Sequence, residues 1–186
     1  MVGRSNEFAH AACYNIAEGP GGSLNPLFIC GPTGLGKTHL LHAVGNHIRN
    51  RRPDLRICYV PAERFFNDFV TSIKNKRMDK FRQRYREHCD VLMIDDIQFL
   101  SGKDGFQDEF FHTLNDLFEK KRQVVVASDQ MPNEISGLED RIRTRLQWGL
   151  IADIKICDIE TRVAILRYKA ERRNLRIPDE VINYIA

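Results

Sequence analysis

Eight consecutive residues, from Gly31 to Thr38, have the composition and spacing of a phosphate-binding loop. They read Gly-Pro-Thr-Gly-Leu-Gly-Lys-Thr and follow the apolar run Leu27–Cys30. The order fits G-x-x-x-x-G-K-[ST] between a strand and a helix, where glycines let successive backbone N–H groups point at phosphate oxygens. A lysine at this place reaches the β- and γ-phosphates, and the threonine hydroxyl ligates Mg²⁺. The residues expected around the phosphates are Thr33, Gly34, Leu35, Gly36, Lys37, Thr38 and His39.

Two carboxylates directly follow another apolar run, Val91–Ile94. Ligands lie at the carboxyl ends of the strands in a parallel sheet, so Asp95 is expected near the Mg²⁺ shared with Thr38. Asp96 would orient or deprotonate the attacking water. An aspartate pair that merely caps the next segment is the alternative, and the upstream loop favours the nucleotide interpretation.

A third apolar run, Val124–Ala127, also ends in polar residues, Ser128 and Asp129. Either side chain would be placed to sense the γ-phosphate or to hold the attacking water. On spacing alone, a simple turn at the end of a strand is slightly favoured.

Three arginines lie in the predicted helix Leu138–Leu146. Arg141 and Arg145 are four residues apart and share a helix face, with Arg143 between them. An arginine offers a planar fork to phosphate oxygens, so one of them could reach the ATP of a neighbouring subunit. A solvated basic face, with Glu139 and Asp140 as partners, is the simpler interpretation from the residues alone.

The segment Lys74–Arg86 carries seven basic residues and one acidic residue. Such a run can neutralise the phosphates of a nucleic acid, or it can be an ordinary solvated face. Phe81 and Tyr85 lie one turn apart within it, and we expect both rings in the core.

The overall composition is that of an ordinary globular protein and gives no sign of a disulfide-rich or membrane-spanning one. The chain has 186 residues, 42% hydrophobic and 28% charged, with a net charge of +3, which is too small to indicate a nucleic-acid partner. The five cysteines form no C-x-x-C pair, which favours reduced thiols in the cytoplasm. No leader-like or membrane-spanning apolar run is present in the sequence.

Alternating short apolar runs and helix-period segments predict an α/β fold with a parallel sheet covered on both faces. The predicted strands are Leu27–Cys30, Arg56–Val60, Val91–Ile94, Val124–Ala127 and Ile154–Cys157. After Asp158 the pattern becomes helical, and the chain stops inside the second of two predicted helices. We therefore expect the chain to end within a helical domain of a longer protein.

Several longer stretches resemble the DnaA family of bacterial chromosomal replication initiators, and the resemblance covers nearly the whole chain. They are Asn25–Ile29, Gly34–Asn46, Ile94–Leu100, Glu109–Asn115, Gly137–Leu150 and Glu160–Arg162. The resemblance implies a P-loop NTPase of the AAA+ type: a three-layer αβα fold with a five-stranded parallel sheet of order 5-1-4-3-2 and the beginning of a C-terminal helical lid. It implies an AAA+ domain over residues 1–158, an initiator-specific helical insertion at 62–88 and the start of the lid at 159–186.

The resemblance also implies a function. ATP or ADP with Mg²⁺ would act as a switch: the ATP form assembles into a filament at the replication origin, contacts single-stranded DNA and promotes duplex melting. Slow hydrolysis, typical of a weak ATPase, would reset it, and a replicative helicase and regulatory proteins are possible partners. By motif, Val2 and Gly3 would lie near the adenine, Asp129 in the sensor 1 segment, Arg145 would be the arginine finger, and Val70 and Lys103 would contact DNA.

This sequence departs from the family pattern at Gly105, where the family usually has an arginine that helps to bind single-stranded DNA. The family's sensor 2 arginine and its helix-turn-helix domain fall beyond Ala186. Two rival interpretations stay open: a related helicase-loader or transposition-helper ATPase, and an interaction module that binds nucleotide without hydrolysing it.

Overall fold

A computed structural model describes residues 2–186, apart from the side chain of Asp104. One sheet forms its centre, and all its strands pair in parallel in the order β2-β3-β4-β1-β5. The strands are β1 (Leu27–Cys30), β2 (Ile57–Pro61), β3 (Val91–Asp95), β4 (Gln123–Ser128) and β5 (Leu150–Asp153). Both the parallel sheet and the strand order predicted from the sequence are confirmed.

Helices connect and cover the strands. They are α1 (Glu7–Glu18), α2 (Lys37–Arg51), α3 (Ala62–Lys74), α4 (Met78–Arg82), α5 (Asp104–Glu119), α6 (Asp140–Gln147), α7 (Ile159–Arg172) and α8 (Asp179–Ile185). A π-helical turn, Gln83–Glu87, continues α4, and a 3₁₀ turn, Ile97–Leu100, follows β3. No helix in the described part of the chain is both long and apolar enough to cross a bilayer.

Two apolar layers lie on opposite faces of the sheet, because successive side chains of a strand point to opposite sides. Leu27 and Ile29 of β1 pack with α1 and α2, whereas Phe28 packs with α3, α5 and α6. The three-layer αβα arrangement is thereby confirmed.

The fifth strand was predicted in the wrong place. β5 occupies Leu150–Asp153, whereas Ile154–Cys157 was expected. Gly149 begins the pairing: a Cβ there would lie 1.8 Å from the carbonyl oxygen of Pro26, so only glycine allows this approach. Ile154 makes one last ladder bond to Cys30, and Ile156 is 70% exposed. The alternating apolar residues Ile154 and Ile156 have the spacing typical of a strand, which led to the wrong prediction, although they lie beyond the end of β5.

The segment predicted as an insertion packs firmly on one face of the core. Phe81 and Tyr85 are buried against Phe65 of α3, as expected for these two aromatics. The Tyr85 hydroxyl also donates to Asp68 Oδ2 at 2.7 Å.

Candidate functional site

The Gly-rich loop between β1 and α2 has a backbone that few other residues could adopt. Gly31, Gly34 and Gly36 have φ values of 147°, 85° and 96°. A Cβ at Gly31 would lie 2.4 Å from the carbonyl oxygen of Ile154, so this glycine also permits close packing against the end of β5. Thr33 is exposed on the loop surface, which leaves the loop open to solvent.

Helix α2 begins at Lys37 with an unusual start. No side chain caps it and its first turn carries no acidic residue, so the positive end of the helix dipole is uncompensated. The Lys37 side chain is buried and its ammonium donates to the carbonyl oxygens of Gly31 at 2.6 Å and Pro32 at 3.1 Å. A buried cation and free helix N–H groups at one place favour an anion such as phosphate.

The structure brings Thr38 and Asp95 together, as predicted. The Thr38 hydroxyl donates to Asp95 Oδ2 at 2.7 Å, and Asp95 is buried at the end of β3. A hydroxyl and a carboxylate oxygen are hard ligands, and Mg²⁺ is typically bound by one or two protein oxygens with phosphates and water. The donor atoms of this pair are therefore of the kind that Mg²⁺ accepts, and the described residues contain no group of three or more His, Cys, Asp or Glu suited to a metal.

Sequence reasoning missed a third member of this group. Tyr59 of β2 donates its hydroxyl to Asp95 Oδ2 at 3.1 Å, and its ring lies 4.4 Å from that of His42 on α2. Burial, with Asp95 beside it, raises the pKa of Tyr59 to about 12, so the hydroxyl keeps its proton at neutral pH. Tyr59 is brought close to Asp95 by the pairing of β2 with β3. No local sequence motif reveals this pairing, so the sequence did not identify Tyr59.

Asp96 and Ser128 lie at the same edge of the sheet and are linked through Gln98, and Asp129 directly follows Ser128. Asp96 is exposed and has φ 56°, a left-handed conformation that is uncommon outside glycine and recurs at functional sites. Gln98 Nε2 donates to Asp96 Oδ1 at 3.2 Å, and Ser128 Oγ donates to Gln98 Oε1 at 3.2 Å. Asp129 Oδ1 is buried without a hydrogen-bond partner in the described structure. Gln98 was not identified from the sequence.

The residues assigned to adenine, Val2 and Gly3, lie beside the start of α7. Val2 is 53% exposed. A Cβ on Gly3 would come within 2.7 Å of Thr161 Oγ1, so the N-terminal segment approaches α7 closely. The Gly3 carbonyl accepts bonds from the N–H groups of Asn6 and Glu7 at the start of α1.

The three arginines of α6 differ in their partners. Arg141 pairs with Glu139 and Asp108, and Arg143 pairs with Asp140. Arg145 makes no ion pair with any described side chain, and its guanidinium lies 4.2 Å from the ring centroid of Trp148. The solvated basic face expected from the sequence therefore accounts for Arg141 and Arg143 but not for Arg145.

The basic run Lys74–Arg86 divides into two parts. Arg82 and Arg86 pair with the buried Glu109, and Arg84 pairs with Asp68. The exposed cations at the start of the run, by contrast, have no ion pair with the described side chains; they are Lys74, Lys76, Arg77 and Lys80. Only this first part is free to meet an external anion.

The two residues assigned to DNA lie close to this free part. Val70 is half-buried on α3. Lys103 precedes α5, and its ammonium lies 3.7 Å from the ring centroid of Phe99 and bonds to the Phe99 carbonyl.

A family profile and a curated relative match this chain over most or all of its length. A family profile described as the bacterial DnaA ATPase domain matches residues 1–153. The chromosomal replication initiator protein DnaA of Bdellovibrio bacteriovorus is 58% identical over the whole chain, which covers 40% of that protein. The chain thus spans about two fifths of the length of this relative.

Solved structures agree. Domain III of the Thermotoga maritima replication initiation protein DnaA superposes with a TM-score of 0.95 at 45% identity, covering 99% of this chain and 76% of that one. A replication initiator DnaA bound to AMPPCP and single-stranded DNA gives 0.92 at 38% identity, covering 99% and 56%. The DnaC helicase loader, at 14% identity and 0.72 over 83% of this chain and 92% of its own, shares the fold alone.

Proposed function

The chain belongs to the DnaA family of bacterial replication initiators, and from this premise we propose that it is the ATP- and ADP-switched core of such an initiator. The observation that carries the proposal is the contact of the Thr38 hydroxyl with Asp95 Oδ2, at 2.7 Å, beside a buried lysine and an uncapped helix start. ATP binding would favour assembly into a filament on origin DNA, which promotes melting of the duplex. Slow hydrolysis would then return the protein to its ADP form.

Each site residue has a part in this scheme. The loop from Thr33 to His39 cradles the phosphates, with Lys37 on the β- and γ-phosphates. Thr38 and Asp95 hold Mg²⁺, which neutralises phosphate charge when it is bound. Asp96 orients or deprotonates the attacking water, and Asp129 lies in the segment that senses the γ-phosphate.

The remaining contacts involve other molecules or segments. Val2 and Gly3 border the adenine at the start of α7. Arg145 acts in trans on a neighbouring subunit's ATP, a role supported by its lack of a carboxylate partner in the described structure. Val70 and Lys103 contact single-stranded DNA, which a relative of similar structure is known to bind.

We propose the same organisation for the chain that the sequence predicted. Residues 1–158 form the AAA+ unit, residues 62–88 the initiator-specific insertion, and residues 159–186 the start of the lid. A replicative helicase and regulatory proteins are further partners in the cytoplasm, where the protein acts.

The decisive experiment is a calorimetric titration of ATP and ADP with Mg²⁺ into the wild type and Lys37→Ala. We expect binding by the wild type and a loss of at least tenfold in the variant, because a buried charged contact to phosphate disappears. Lys120→Ala is the matched control, since Lys120 is exposed and, among the described side chains, forms an ion pair only with Asp116. Equal affinities of the wild type and Lys37→Ala would refute the phosphate site.

A further inference from the structure

Two of the five cysteines lie together near the amino ends of neighbouring strands, whereas the candidate nucleotide site lies at the carboxyl ends. Cys58 is the second residue of β2, and Cys89 lies in the loop two residues before β3. Cys58 packs against the apolar layer that contains Cys89, and its thiol donates to the carbonyl oxygen of His88, the residue before Cys89, at 3.9 Å. The two thiols are also hydrogen-bonded to each other. The fold therefore places both sulfur atoms at one point.

The two thiols differ in exposure and in acidity. Cys58 is half-buried on β2, a strand at the edge of the sheet, whereas Cys89 is fully buried. The hydrogen bond with the Cys89 thiol lowers the pKa of Cys58, and the guanidinium of Arg84 lowers it further. The same hydrogen bond, together with burial, raises the pKa of Cys89. A partly exposed thiol of lowered pKa beside a second cysteine is the arrangement typical of redox-sensing sites.

The other three cysteines differ from this pair. Cys13 and Cys30 are buried, and burial raises their pKa values to about 12 and about 11. Cys157 is half-buried, and its sulfur accepts a hydrogen bond from the Ser5 hydroxyl. Among the described residues, none of these three thiols is hydrogen-bonded to another cysteine. Only the pair thus combines an acidic thiol with a neighbouring thiol.

We propose that Cys58 and Cys89 are a peroxide-sensitive thiol pair, which closes to an intramolecular disulfide and is reopened by a dithiol reductant. The Cys58 thiolate attacks one oxygen of hydrogen peroxide and the O–O bond breaks, which gives a Cys58 sulfenic acid and a hydroxide that takes up a proton. The Cys89 sulfur then attacks the Cys58 sulfur: the S–S bond forms, the S–O bond breaks, and the Cys89 proton leaves with the hydroxide as water. Two thiols and one peroxide thus give one disulfide and two water molecules.

The disulfide would enclose α3, α4 and the π-helical turn, because all three lie between Cys58 and Cys89 in the chain. It would tie the two ends of this segment together at its base, and such a link removes conformations from the unfolded chain. The segment carries the free cations Lys74–Lys80, and the phosphate loop lies outside it. The proposal therefore does not depend on the proposed binding of nucleotide or DNA.

The test treats the whole chain with hydrogen peroxide at neutral pH, blocks the remaining thiols with iodoacetamide and maps the peptides by mass spectrometry. We expect two of the five thiols to disappear, a linked Cys58–Cys89 peptide to form, and dithiothreitol to restore all five thiols. In Cys58→Ser, thiol loss should slow by at least about tenfold, because the accessible thiolate is removed. In Cys89→Ala, peroxide should leave a Cys58 sulfenic acid that dimedone traps.

The control is Cys157→Ser, because Cys157 is also half-buried but follows β5 at the other edge of the sheet. This variant should form the linked peptide at the wild-type rate. Because the linked peptide is sought first in the wild type, the test holds even where a variant fails to fold. Retention of all five thiols by the wild type, a linkage between other cysteines, or a covalent dimer joined through Cys58 would each overturn the proposal.

Discussion

At the scale of single residues, the Asp95 carboxylate is the point at which three elements meet. Its Oδ2 accepts from Thr38 on α2 and from Tyr59 on β2, and its Oδ1 accepts from the backbone of Asp96. Hydrogen-bonding partners of a ligating carboxylate fix its orientation and typically change metal affinity by tenfold or more. In the proposed function, Tyr59 would therefore be a positioning residue that acts on Mg²⁺ through Asp95.

Replacing Tyr59 by phenylalanine removes this hydroxyl and retains the ring against His42. We expect the affinity for ATP with Mg²⁺ to fall by about tenfold, while the affinity measured in EDTA stays within about twofold. Calorimetric titrations under both conditions measure the difference. Tyr184→Phe, at a residue that is 92% exposed, serves as control. A loss of the same size in EDTA would show that Tyr59 supports the fold rather than the metal site.

At the scale of elements, α4 and the π-helical turn after it both form ion pairs with one carboxylate of α5. Glu109 is buried, and its carboxylate accepts hydrogen bonds from Arg82 at 3.0 Å and from Arg86. The Arg86 side chain is only 15% exposed. Arg86 forms no ion pair with any other carboxylate among the described residues. Glu109 therefore adds a charged contact to the attachment of this segment, beside the bond from Arg86 Nε to Thr113 Oγ1 at 3.1 Å.

Glu109→Ala should lower the free energy of unfolding by about 3 kcal/mol, because it leaves the Arg86 guanidinium poorly paired in a largely buried place. Urea unfolding followed by circular dichroism measures the loss. Glu119→Ala, at an exposed position on the same helix, should change stability by less than about 0.5 kcal/mol. If the two variants lost equal stability, the ion pair would not hold the segment.

The comparison of predicted with observed helices and strands shows which of them the sequence can predict. β1 and the start of α2 were predicted to the residue, because the Gly-rich loop fixes both of its neighbours. β5 was misplaced by four residues, since its register depends on the contact of Gly149 with Pro26, which are far apart in the chain. In the candidate site, motif spacing predicted that Thr38 and Asp95 lie close together, whereas the positions of Tyr59 and Gln98 depend on strand register and loop geometry.

At the scale of the whole molecule, the question is how one chain would contribute to the ATP site of another. α6 packs on α5 and β1 and ends beside β5, which is an edge strand of the sheet. Arg145 lies in its last turn, over the exposed ring of Trp148. An arginine without a carboxylate partner at the edge of a domain is suited to reach a phosphate on a neighbouring molecule.

Arg145→Ala should therefore separate binding from assembly. ATP affinity should stay within about twofold, because Arg145 contacts no described residue of the phosphate loop, while ATP-dependent assembly of the full-length protein should be lost. Sedimentation velocity with ATP and with ADP measures assembly, and calorimetry measures affinity. Arg141→Ala is the matched control, since Arg141 is on the same helix but already pairs with Glu139 and Asp108. Assembly of Arg145→Ala equal to that of the wild type would rule out the trans role, whereas loss of assembly in both variants would attribute it to the basic face of α6 as a whole.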